Sequence, residues 1–233
     1  MTSWLNSAEV TQVVEKVREI YNTWPHCWGP REQRHICAVS HGAQVSALRQ
    51  ELRRRNLGEV SVGSFEILPG REFRVVVLSS VHNRNSLLSP GAPTSEFFTE
   101  PRVLNTVMTR AQSQLVAVGD AVALCSSGAC RNLWRSFIRE CIEHHSAFPE
   151  ELSLEQIEQG VAQRQNWASL TLKARGPETE QKSMAQGPQR LIAEGTMVTV
   201  KAETRAEAAA KAQTAAVAAE DTASGNSASR DAA

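Results

Sequence analysis

Four consecutive apolar residues, Val75-Val-Val-Leu78, leave no polar position for a solvent-facing side. A β-branched run of this kind belongs to a strand buried on both faces of a parallel sheet. Shorter apolar runs at Ile36 to Val39 and Leu115 to Val118 read the same way, and Val60 to Phe65 reads as a further strand. Between them lie helical stripes. Asn6 to Tyr21 carries Val10, Val13, Val14, Val17, Ile20 and Tyr21 on one face, with Asn6 and Glu9 spaced as a capping box. A second helix carries Val45, Leu48 and Leu52, and a third, Leu133 to Ile142, carries Trp134, Phe137, Ile138, Cys141 and Ile142. Strands alternating with helices at this spacing predict an α/β fold with a parallel sheet.

The predicted boundaries are an α/β lobe over residues 1–145, a helical extension over 146–168 and a disordered Ala-rich tail over 169–233. The last aromatic residue is Trp167, and 14 alanines fall within residues 201–233, too little apolar surface to order a domain. An isolated helix over residues 206–219 is the one element expected there. The Ser/Pro/Gly-rich stretch from Ser86 to Thr99 reads as a long loop. Trp24 and Trp28 read as anchors of the loop after the first helix. Lys+Arg and Asp+Glu both number 25, so net charge argues neither for nor against nucleic acid. No apolar run of ~18 residues is present, which excludes a spanning helix. The first residues lack a signal peptide's basic and apolar regions. Five cysteines without a disulfide-framework spacing read as reduced thiols, so the expected location is intracellular, in nucleus or cytoplasm.

The segment from Arg102 to Gly119 carries Arg110 on a short helix-like stretch that leads into a strand. Two readings are open on the residues alone. A rigidly held guanidinium suits a phosphate, which it clamps by forked, charge-assisted hydrogen bonds. An arginine on an amphipathic helix otherwise faces water. The run Arg49, Arg53, Arg54, Arg55 likewise fits either a nucleic-acid backbone or a solvated helix end. Cys125, Cys130, Cys141, His144 and His145 lack a second ligand pair at zinc spacing, so no metal site is expected. No Gly-x-Ser-x-Gly or activated cysteine is present.

Asn105-x-x-x-Thr109-Arg110-Ala111, followed by an apolar strand and Gly119, resembles motif VI of superfamily 1 helicases. Val62-Gly-Ser-Phe-Glu66-Ile-Leu-Pro-Gly70-Arg-Glu72 resembles motif V without gaps, although Pro69 stands for a glutamine and Arg74 for an aspartate. Ile36 to Gln44 is similar to motif IV, with Gln44 matching and Val39-Ser40-His41 replacing Thr-Pro-Tyr. Trp4-Leu-Asn6-x-x-Glu9 resembles the segment before motif IV in the nonsense-mediated-decay branch.

The resemblance implies a second RecA-like lobe of an ATP-dependent RNA or DNA helicase. It makes Arg110 the arginine finger at the γ-phosphate, and Gln44, Gly70, Glu72, Asn105 and Thr109 nucleotide-site residues. Ser79 and Ser80 are implied at single-stranded RNA or DNA. No Gly-x-x-x-x-Gly-Lys loop or strand-end Asp-Glu pair occurs. ATP with Mg²⁺ is therefore expected only together with a first RecA-like lobe, in the same or a larger chain, and the lobe alone is expected to be inactive. The alternative is a non-catalytic interaction module derived from such a lobe.

Overall fold

The computed structural model describes residues 4–83, 95–126, 128–174, 190–191 and 198–203. The chain begins with a two-residue strand, β1 (Trp4–Leu5), and helix α1 (Ser7–Asn22). Asn6 caps α1 by accepting the Glu9 N–H on its Oδ1 at 3.1 Å. A strand β2 (Ile36–Val39) and helix α2 (Ala43–Arg54) follow, then the short β3 (Ser61–Gly63). β4 (Phe73–Ser79) holds the four-residue apolar run. Helices α3 (Glu96–Thr99) and α4 (Pro101–Met108) lead to β5 (Ala111–Gly119). Pro101 opens α4, where its missing N–H costs nothing. Helices α5 (Ala121–Ser126) and α6 (Arg131–Glu143) come next, then β6 (Ala147–Phe148) and α7 (Leu154–Ala174). Two strands close the order, β7 (Arg190–Leu191) and β8 (Val198–Glu203).

One sheet runs β3-β2-β4-β5-β8-β6, and its first four strands are parallel. β8 lies antiparallel between β5 and β6. Register sets Val39 beside Leu78 and Leu78 beside Ala117. Side chains alternate across the sheet with period two. Ile36, Ala38, Val75, Val77, Val116 and Val118 join α1 and α2 in one apolar layer. Cys37, Val39, Val76, Leu78, Leu115 and Ala117 meet Leu104, Val107, Trp134, Ile138 and Ile157 in the other. Each valine taken fully from water contributes about 1.5–3 kcal/mol, so β4 is anchored from both sides. The arrangement is the expected α/β one, with a parallel sheet of the RecA-like kind.

Some expectations are revised. β3 ends at Gly63, and Phe65–Ile67 form a 3₁₀ turn instead of continuing the strand. Arg110 lies outside the helix: α4 ends at Met108 with Thr109 as its cap, and Arg110 sits in the turn before β5. Three short parts of the expected tail carry elements. Residues 169–174 complete α7, residues 190–191 form β7 and residues 198–203 form β8. The reason lies in the far edge of β5, whose backbone groups need partners and find them in β8. The expected helix over 206–219 and residues 86–94 of the expected Ser86 to Thr99 loop lie outside the described residues, and the last four residues of that loop form α3 instead.

Candidate functional site at two edges of one sheet

The candidate site residues divide between the two ends of the parallel strands. At the entry edge, where β4 and β5 begin, Arg110 O accepts the Phe73 N–H at 3.0 Å. Thr109 is tied down by its Oγ1, which donates to Asn105 O at 2.8 Å. Arg110 Nη2 donates to Thr109 Oγ1 at 3.3 Å, while its Nε is shielded from water without a partner. A shielded N–H left unpaired costs free energy, and an oxyanion would satisfy it. Gly70 turns the chain toward β4 with φ 73°, a conformation glycine adopts without strain. Glu72 accepts from Gln112 Nε2 at 2.9 Å across the starts of β4 and β5. Gly70, Glu72, Asn105 and Thr109 are exposed on this edge, around a half-buried Arg110.

The exit edge lies at the other end of β4, about 20 Å away at ~3.3 Å per residue. Here a buried carboxylate organises the structure. Glu9 Oε2 accepts from Ser79 Oγ at 2.6 Å and from the Val81 N–H at 2.8 Å. Its Oε1 accepts from Ser80 Oγ and Asn6 Nδ2, both at 3.3 Å. Gln44 binds the Asn6 backbone at both groups, accepting N–H at 2.9 Å and donating to the carbonyl at 3.1 Å. Its Nε2 also donates to Ser79 Oγ at 3.1 Å. The capping box is thus half-built: Asn6 caps α1, but the Glu9 carboxylate turns inward instead of to the Asn6 N–H. Burial pushes the Glu9 carboxyl from 4.5 up to about 7 and Asp120 adds to the rise, against the opposing hydrogen bonds from Ser79, Val81 and Ser80.

Immediately after β4 the backbone is strained. Val81 has φ 68°, and the His82 N–H donates to Ser80 O at 2.8 Å, which makes a γ-turn of the rarer hand. A β-branched residue there costs on the order of 1–3 kcal/mol. Val81 and Trp4 bury each other, and Asn6 Nδ2 donates to Val81 O at 3.2 Å. Gly119 ends β5 against Ser80, close enough that a Cβ would collide with the Ser80 hydroxyl. Asp120 then caps α5, its Oδ1 accepting the Val122 N–H at 3.0 Å. Nearby, His41 and His82 stack at 5.3 Å, with Trp4 5.6 Å from His82 and Phe97 6.1 Å from His41. Burial lowers both imidazoles to about 4, so the rings are neutral at physiological pH.

The structure therefore brings Ser79, Ser80 and Gln44 together at the exit edge, all buried, and Arg110, Glu72, Gly70, Asn105 and Thr109 at the entry edge. Gln44 does not join the nucleotide residues with which motif resemblance grouped it. Glu9, Asn6 and the Val81 turn were absent from the sequence-derived site; the capping-box spacing and the resemblance of the Trp4 to Glu9 segment pointed to Asn6 and Glu9, and no signal pointed to Val81. Three of the four arginines on and just after α2 are used locally: Arg49 donates to Val62 O, and Arg54 and Arg55 pair with Glu51. Cys125, Cys130 and Cys141 are buried, and the described residues contain no His/Cys/Asp/Glu group suited to a metal ion. Among the described residues no helix is long and apolar enough to cross a membrane.

Residues 1–122 match the family described as AAA domain. The 3'-5' exoribonuclease HELZ2 of Homo sapiens is 78% identical over 167 residues, which cover 72% of this chain and 6% of that protein. The probable helicase with zinc finger domain of Danio rerio is 38% identical over 161 residues, covering 62% of the chain and 9% of the relative. The regulator of nonsense transcripts 1 homolog of Arabidopsis thaliana is 29% identical over 148 residues, covering 61% of the chain and 11% of the relative. The chain thus spans a small fraction of the length of each of these proteins. With the match extending over residues 1–122 of 233, the chain belongs to the AAA domain family, and with the parallel sheet beneath its motif V and motif VI segments it is a homologue of the superfamily 1 helicases.

Proposed function

We propose that this chain is the C-terminal RecA-like lobe of an ATP-dependent RNA or DNA helicase, which supplies the arginine finger and part of the nucleic-acid surface. The observation that carries the reading is Arg110, held at the start of β5 with a shielded Nε that lacks a partner. In this reading ATP lies against the entry edge, with Glu72, Gly70, Asn105 and Thr109 around the guanidinium. The strand of RNA or DNA crosses the exit edge, above Gln44, Ser79 and Ser80. The absence of a Walker A loop assigns the phosphate cradle and the Mg²⁺ carboxylates to a first lobe. When bound, ATP supplies the phosphoryl group that is transferred to water. Arg110 stabilises charge on that group, and Thr109 orients Arg110. The named relatives, a probable helicase with zinc finger domain among them, support a nucleic-acid-directed role, and the location proposed with it is nucleus or cytoplasm.

The test joins this lobe to a first lobe in one polypeptide and compares wild type with Arg110→Ala and Arg110→Lys. A finger interaction made in the transition state is lost from kcat, with Arg110→Ala costing about a thousandfold. Lys restores part of that, because a point charge lacks the fork. Unchanged turnover in a folded Arg110→Ala enzyme refutes the assignment. A second reading, a non-catalytic interaction module, draws on Pro69 and Arg74, which depart from the motif V chemistry. It predicts no ATP turnover even with a first lobe attached.

A further inference from the structure

Three non-glycine residues among those described have positive φ: Asn56, His145 and Val81. Asn56 follows α2 and is of a type that tolerates this region, and His145 follows α6. Val81 is neither of a tolerant type nor at a helix end. Its turn is gripped by the first turn of α1 and the residue before it. Glu9 takes the Val81 N–H and Asn6 gives an N–H to the Val81 carbonyl. The same carboxylate fixes the hydroxyl of Ser79, which ends β4, and that of Ser80, which follows it. We infer that Glu9, with Asn6, is a positioning residue that holds the strained turn after β4 in the shape with which the exit edge meets a single-stranded nucleic acid. The inference rests on the proposed role of that edge as the nucleic-acid face.

The chemistry favours a carboxylate at this position. Four donors converge on it: two hydroxyls, a backbone N–H and an amide N–H. An ionised carboxylate accepts from all four and donates nothing. Glutamine in its place keeps the size but turns one acceptor into a donor, which faces either Ser79 and Val81 or Ser80 and Asn6. Gln44 reinforces the arrangement by fixing the Asn6 backbone and feeding a hydrogen bond into Ser79. The strain at Val81 means that a released turn has a lower-energy conformation to move to.

The experiment uses the full chain and a fluorescein-labelled oligouridylate of about 12 nucleotides, a length within the range of single-strand sites. Affinity is read by anisotropy, the exchange rate of the Val81 amide by NMR, and folding by thermal unfolding. Glu9→Gln is compared with Asn6→Ser, which keeps an N-cap oxygen for α1 but removes the Nδ2 donor to Val81 O. The expected result is faster exchange at Val81 with the Val76 and Val116 amides still protected. Affinity falls about tenfold in each variant, the equivalent of one charge-assisted hydrogen bond. Should Glu9→Gln not fold, Asn6→Ser decides alone. Unchanged exchange at Val81 overturns the clamp. Faster exchange with unchanged affinity overturns the positioning role and leaves the nucleic-acid reading intact. A wild-type chain that binds no oligonucleotide overturns the reading of the exit edge, and the inference with it.

Discussion

The two edges of the sheet solve opposite problems with the same strands. At the entry edge the polar side chains are exposed or half-buried, few bonds join them, and the Arg110 Nε is unspent. At the exit edge the polar side chains are buried, and four donors converge on one carboxylate. An edge built like the first has little effect on stability and keeps its chemistry for a group arriving from outside. An edge built like the second contributes to stability and spends its hydrogen bonds on shape. Disrupting one should therefore change turnover without melting the protein, and disrupting the other should do the reverse.

The largest expected effect is on the entry edge. In a polypeptide with a first lobe, Arg110→Ala should lower kcat about a thousandfold and move the thermal midpoint by less than about 2 °C. A large fall in the midpoint would erase the contrast. Next comes the exit edge. Gln44→Leu strips partners from the Asn6 N–H, the Asn6 carbonyl and the Ser79 hydroxyl together. The Asn6 carbonyl keeps the Val10 N–H and the Ser79 hydroxyl keeps Glu9, so one buried group, the Asn6 N–H, is left unpaired at ~1–3 kcal/mol, and urea unfolding should show a loss of about 2 kcal/mol. A loss under ~1 kcal/mol would mean that the network adds little to stability.

A third test titrates the exit edge. The folded-state pKa of Glu9 is raised from 4.5 to about 7. The folded protein thus binds this proton more tightly than the unfolded chain does. The contribution is fully present below 4.5 and is lost as pH rises through about 7. Relative to Glu9→Gln, wild type should lose on the order of 2–3 kcal/mol across that window. His41 and His82 act in the opposite sense. Their pKa values are lowered from 6.5 to about 4, so their contribution is present above 6.5 and lost as pH falls through about 4. Both histidines remain in the variant, so subtracting the two pH profiles isolates Glu9, with the nearby Asp120 charge common to both. A flat difference would remove Glu9 from the account of the exit edge. The smallest effect belongs to Glu72→Gln, whose exposed bond to Gln112 should be worth less than ~0.5 kcal/mol in unfolding free energy.

Much of the fold was readable because its signals are local. Val75-Val-Val-Leu78 and Ile36 to Val39 are strands, and the valine stripe of α1 packs as its spacing requires. The Asn6 cap was readable for the same reason. The destination of the Glu9 carboxylate was not, because Ser79 and Val81 lie 70 and 72 residues away in sequence and no periodicity connects them. Gln44 shows a signal that was available and unused. In a parallel sheet, a residue just after one strand and a residue just before another lie at opposite edges. Gln44 comes after β2 and Arg110 comes before β5, so strand direction alone separates them. β8 was hidden by its setting: Val198-Thr-Val200 carries the β-branched signal, but an Ala-rich stretch comes directly after it.

The pairing of β8 with β5 also has a consequence for synthesis. The two strands join Gly119 to Val198 and Gln114 to Glu203, so β5 leaves the ribosome well before its neighbour does. At ~5–20 residues per second, the 84 residues from Gly119 to Glu203 take roughly 4 to 17 s to emerge. Throughout that interval the nascent lobe lacks the partner that later pairs Gln114 to Gly119, six of the nine residues of β5. An unpaired strand edge is a template for another chain, and nascent lobes on neighbouring ribosomes of one message would offer it to each other. The segment that carries β8 thus acts last, as the built-in cover of an edge whose exposure is set by translation speed.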